Sequence, residues 1–162
     1  MKEFVTAKMD DRTKIFTLIL LVLLPLLALS SFFMQPPKPV VSVVLTILLF
    51  SVIVISYGLV PKRIAISDDQ ILIRNLFGAV IININEIKTA DKIEKTGLNL
   101  RTFGVGGLFG YFGYFNGRDV WYVTNIHKKV KMILKSGKIY MISPENPDNF
   151  LQEVHRRMSE MV

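Results

Sequence analysis

The chain is 162 residues long, 51% hydrophobic and free of cysteine, with a formal net charge of +7. That length accommodates one ordinary domain plus a membrane anchor, and the missing cysteines exclude disulfides, thiolate metal sites and a cysteine nucleophile. The charge does not describe a nucleic-acid partner. Residues 1–14 carry +1, the link between two apolar runs +1 and residues 62–162 +5, with Lys and Arg there mixed among Asp and Glu.

Residues 1–14 read as a cytoplasmic N-terminal segment. Residues 15–33 are nineteen positions without a charge, and residues 40–60 form a second apolar run. At about 1.5 Å rise per residue each covers roughly 30 Å, the thickness of a bilayer's hydrocarbon core. A soluble helix would show a polar face, and neither run has one. Pro25 is expected to kink the first span, which neighbouring groups can accommodate in a membrane. Residues 34–39 contain Pro36, Pro37 and Pro39, so the chain reverses there and the spans form a hairpin. Seven basic residues (Lys2, Lys8, Arg12, Lys14, Lys62, Arg63 and Arg74) flank the outer ends, against Lys38 alone in the link. That asymmetry places both termini in the cytoplasm. A cleaved signal peptide is the rival, since Ala28-Leu29-Ser30 resembles a cleavage site. Against it stand Asp10 and Asp11 in the leading segment and an apolar run that continues to Phe33.

From Lys62 the period shortens to two. Ile64 and Ile66, Ile71 and Ile73, and Val80, Ile82 and Ile84 alternate with their neighbours, separated by turns at residues 67–70 and 77–78. Residues 87–93 add a fourth strand, of weaker alternation. Residues 120–124, 130–135 and 138–142 add three more, the last two joined by Ser136-Gly137. About seven antiparallel strands in so short a stretch predict a small barrel or orthogonal sandwich. The chain then closes in an amphipathic helix, N-capped by Asn146 with Pro147 at its first position and Asp148 in its first turn. Phe150, Leu151, Val154, Met158 and Met161 form its apolar stripe, which is expected to plug the sheet. Glu153 and Arg157 stand four apart on the other face.

Residues 101–104 (Arg-Thr-Phe-Gly), the glycines through Gly113, Val123-Thr124, and the Ser-Pro-x-x-Pro-x-x-Phe run of residues 143–150 together resemble the bacterial PH-like (pleckstrin-homology-like) domain family. The apolar runs already give a membrane α-helical hairpin, and the resemblance implies that a mainly-β domain over residues 62–162 follows it. That domain would be a PH-like barrel of about seven antiparallel strands closed by the C-terminal amphipathic helix. Taken with the spans and their basic flanks, this bacterial family points to an inner-membrane protein, and the lack of converging titratable groups in the sequence points to a binding module rather than an enzyme. In lipid-binding PH domains, basic residues around the first hairpin grip an inositol phosphate. Here that turn is Ser67-Asp68-Asp69-Gln70, whose carboxylates repel phosphate, and Leu76 stands where a further arginine would help.

The glycines from Gly97 to Gly117 interleave with Phe103, Phe109, Tyr111, Phe112, Tyr114 and Phe115. No Gly-Lys-Ser/Thr ends this run, so it is not a phosphate loop. It is either a bulged strand with buried aromatics or an aromatic lip facing lipid or protein. His127 and His155 lack a third metal ligand, no paired carboxylates stand out, and no cofactor is implied. His127, Lys128, Lys129, Lys131, Lys135 and Lys138 form the one basic concentration, suited to anionic headgroups or to guarding a strand edge. The favoured ligand is a protein or peptide segment paired to an open sheet edge, with Trp121, Lys129, Lys131 and Arg101 as contributing residues. The alternatives are self-assembly into a membrane scaffold, as a homo-oligomer, and recognition of anionic headgroups. The bilayer itself is a partner in every reading.

Overall fold

A computed structural model describes residues 1–93 and 99–161. Gly97, read above as part of the glycine-rich run, lies outside the described residues. Helix α1 covers Asp11–Ser30 and continues unbroken through Pro25. A single 3-10 turn, Ser31–Phe33, leads to the link, and α2 covers Pro39–Leu59. Both helices are long and apolar enough to cross a membrane. Only 17% and 11% of their most apolar windows are buried, so they are not the core of a soluble bundle. Small residues line their contact: Ala28, Ser31 and Ser42 are buried, and the Ser42 hydroxyl donates to the Ser31 carbonyl at 2.7 Å. Close approach of small side chains is how apolar helices pack where no hydrophobic drive separates them from their surroundings.

Among the described residues, ten strands follow the hydrophobic alternation and extend it. Strands β1 (Lys2–Phe4), β2 (Arg63–Ile66), β3 (Gln70–Arg74) and β4 (Ala79–Asn83) form one antiparallel sheet in that order. The second sheet contains β5 (Ile87–Ile93), β6 (Arg101–Gly106), β7 (Tyr111–Phe115), β8 (Asp119–Val123), β9 (Lys129–Leu134) and β10 (Ile139–Ile142). Its order is β5-β9-β10-β8-β7-β6, and β8 and β10 run parallel.

The mainly-β architecture after two apolar helices is as expected, with two corrections of detail. The strands exceed seven because the glycine-aromatic run supplies β6 and β7 and the N-terminal segment supplies β1. The two sheets are not closed into a barrel. Instead residues 2–7 stitch them: β1 pairs with β2, while the Ala7 amide donates to Ser143 and the Glu145 amide to Val5, each at 2.8 Å.

Between the sheets lies a core of Ile64, Ile66, Ile71, Ile73, Ile82, Ile84, Val130, Met132 and Ile142, sealed by α3 (Pro147–Glu160). The Asn146 side chain caps α3 by accepting from the Asn149 amide at 3.1 Å. Phe150 and Val154 are fully buried, and Phe150 meets Phe4 edge-on at 5.2 Å. Glu153, expected on the outer face of α3, is instead buried beside this seal and accepts from Arg156, Arg157 and Lys2. The Arg156 and Arg157 hydrogen bonds, and then that from Lys2, hold its carboxyl down at about 2. Arg157 also pairs with Asp68. One acid of the β2–β3 turn is therefore a tie to α3 rather than a free carboxylate.

Candidate functional site

Strand directions identify the end of the domain that meets the helices. The β3–β4 turn, the β6–β7 turn, the segment after β8 and the N-terminal residues 5–10 all lie against α1 or α2. The β7–β8 turn at residues 116–118 and the β9–β10 turn at residues 135–138 point the other way, because β7 and β9 run outward from the helices.

Four attachments hold the domain at this end. Asp10 caps α1, its carboxylate accepting from the Thr13 amide at 2.9 Å, the Thr13 hydroxyl at 3.0 Å and the Ile126 amide at 3.1 Å. Burial pushes the Asp10 carboxyl up, but these hydrogen bonds outweigh it and the net displacement is downward. One turn on, the buried Thr17 hydroxyl accepts from the Phe109 amide at 2.9 Å and donates to the Gly107 carbonyl at 3.2 Å. It thus satisfies one donor and one acceptor of the β6–β7 tip. Phe109 also meets Tyr57 of α2 edge-on at 5.5 Å. Finally, the Leu76 amide donates to the Gly58 carbonyl at 3.0 Å, satisfying one of the carbonyls a helix C-terminus leaves open.

Two clefts flank residues 5–10. One, of about 310 Å³, is lined by Thr6, Tyr57, Val60, Lys62 and Phe109 among others, with Lys62 lying 3.9 Å from the Tyr57 ring. The other, of about 460 Å³, gathers Lys8, Arg12, Lys14, Lys128 and His127 with Asp10 and Asp11. Lys14 pairs with Asp11 and Lys128 with Glu145, so much of the positive charge there is already compensated.

The four sequence-derived candidates do not form one site. Trp121 is buried against Phe115, their rings stacked at 4.4 Å, and offers no contact area to a partner. Lys129 is buried too, with its Nζ 5.7 Å from the Trp121 ring, and burial pushes its pKa down. Strand β9, which carries Lys129 and Lys131, lies between β5 and β10. The expected open edge there is therefore paired. Of the four, Arg101 alone stands on an edge strand, β6, whose outer side has no neighbour in the sheet among the described residues. Leu100 and Phe103 are 77% and 75% exposed beside it. The glycine-aromatic run resolves into both of its readings at once: Phe112 and Phe115 are buried, while Phe103 and Tyr114 face outward.

Sequence reasoning missed Asp10, Thr13 and Thr17 as attachment residues. Their signal was present, as an N-cap acid followed by threonines four apart on one helix face. Among the described residues no group of three His, Asp or Glu could hold a metal.

Two apolar helices bearing a two-sheet domain sealed by a C-terminal helix define a membrane-associated PH-like module. The Bacterial PH domain family matches residues 62–158, and the chain belongs to that family. Comparison with curated proteins and with solved structures gives no match.

Proposed function

We propose that the protein is a two-pass, non-catalytic module of the bacterial inner membrane that recognises an extended protein or peptide segment by strand addition to β6. Its termini lie in the cytoplasm on this reading, supported by the basic flanks at Lys2, Lys8, Arg12, Lys14, Lys62, Arg63 and Arg74 against Lys38 in the link. A cysteine at exposed Ser136 should then react with a membrane-impermeant maleimide only after cells are opened. Labelling of intact cells would reverse the orientation.

The observation that carries the ligand reading is the state of the β6 edge. Natural edges are blunted by charge, proline or a covering element. Here Arg101 is the only charge on an edge of six residues, and Phe103 stands exposed. An added strand would gain main-chain hydrogen bonds along β6, Phe103 would supply apolar contact and Arg101 would select for acidic side chains. The β4 edge is shorter, and its turn is held against α2.

Full-length protein in nanodiscs offered a random peptide library should enrich extended sequences, with binding abolished by Phe103→Asp. A library that enriches nothing, or peptides indifferent to that change, would overturn the reading.

A further inference from the structure

The β3–β4 turn exposes two large apolar side chains side by side, outside the two helices. Leu76 and Phe77 are 62% and 61% exposed, adjacent in sequence, and present no polar side chain between them. A turn that faced only water would normally be built from polar residues and glycine. Asn75 and Gly78 supply that chemistry here: the Asn75 side chain accepts from the Phe77 and Gly78 amides at 2.9 and 3.0 Å. The two central side chains are free of any turn-forming duty.

Their height is fixed by α2. The Leu76 amide is hydrogen-bonded to the carbonyl of Gly58, the penultimate residue of that helix. The Phe77 ring lies so close over Gly58 that a Cβ there would sit 2.3 Å from Phe77 Cζ. Glycine at position 58 is what admits the ring. Gly58 follows Ile55 and Tyr57, both exposed on α2, within one helical turn of about 5.4 Å rise, so the β3–β4 turn is held at the level of that stretch of the helix. The apolar surface of Leu76 and Phe77 continues that of the helix. Beside the turn, Arg63 and Arg74 are register partners across β2 and β3; Arg63 is paired with Glu3, which leaves Arg74 and the preceding Lys62 as the cations at the level expected of headgroup phosphates.

From this continuity we infer that the β3–β4 turn is a wedge that enters the same leaflet as the end of α2, with Leu76 and Phe77 among the upper acyl chains. The inference rests on the anchor reading, since it takes the level of the bilayer from α2. It adds a third, non-helical point of membrane contact. Together with the Thr17 attachment on α1, that contact fixes the tilt of the domain and hence the direction in which the β6 edge faces.

The absence of native cysteine makes single-site labelling clean. Leu76→Cys, Ile47→Cys at mid-α2 and Ser136→Cys at the far turn would each carry an environment-sensitive fluorophore in full-length protein reconstituted into liposomes. Leu76 is exposed, so its replacement removes little packing. The wedge predicts that lipids brominated near the top of the acyl chain quench the label at 76, deeper bromines quench the label at 47, and neither quenches the label at 136. A label at 76 quenched by aqueous iodide but not by bromolipid, with 47 still in lipid, would overturn the wedge and leave the anchor standing. A label at 76 shielded from both quenchers would place protein there and also overturn it. Aqueous labels at both 47 and 76 would remove wedge and anchor together.

Discussion

Replacing Phe150 with alanine is expected to lower the stability of the β domain by about 3–5 kcal/mol, the usual cost of deleting a buried aromatic. The site leaves little room for relaxation. Phe150 is fully buried, packs edge-on against Phe4 and sits in the helix turn whose N-terminus Asn146 caps. Its loss would open a cavity between α3 and the residues around Ile64 and Val130, and would also release β1 through Phe4. The measurement is thermal unfolding of the full-length protein in mild detergent, followed by near-ultraviolet circular dichroism. The full chain matters, because a fragment starting at Lys62 lacks β1 and leaves the edge of β2 bare. A melting curve unchanged by Phe150→Ala would mean that the stripe on α3 is not the seal of this core.

The elements legible in the sequence were those set by local periodicity. Two apolar runs of bilayer length gave α1 and α2, isoleucine alternation gave β2 to β4, and the Asn146-Pro147-Asp148 signature gave the start of α3. What escaped was decided by contacts between residues far apart. Asp68 reads as a carboxylate that repels phosphate until Arg157, 89 positions away, is found beside it. Lys129 and Trp121 read as surface residues because a lysine-rich hairpin suggests an edge. Strand order alone shows β9 in the interior of its sheet, with β5 on the side expected to be open. The N-terminal segment reads as a charged leader, and only the β1–β2 pairing reveals it as part of the domain. Glycine left β6 and β7 as one of two readings of that run, since it interrupts the two-residue alternation that marks a strand.

Those glycines also determine how the proposed binding edge is made, and Gly113→Ala is expected to undo it. Gly104 and Gly113 are register partners across β6 and β7, with φ of 118° and 117°, a region that side-chain-bearing residues rarely occupy. A Cβ on Gly113 would lie 2.4 Å from the Phe103 carbonyl oxygen and 2.9 Å from Gly104 Cα, and both obstacles are backbone. The strained conformation alone would cost about 1–3 kcal/mol, and the clash can be relieved only by moving β6 off β7. Gly117→Ala separates the two effects: φ there is 87°, but nothing lies within 4 Å of the added carbon. It should cost about 1–2 kcal/mol from handedness alone. Amide exchange across residues 101–106 should therefore accelerate sharply in Gly113→Ala and little in Gly117→Ala, with the core around Ile64 protected in both. Phe103, Arg101 and the edge they share would lose their common orientation, and capture of extended peptides would fall with it. Equal exchange in the two variants would mean that close backbone contact at the paired glycines is not what holds β6 in place.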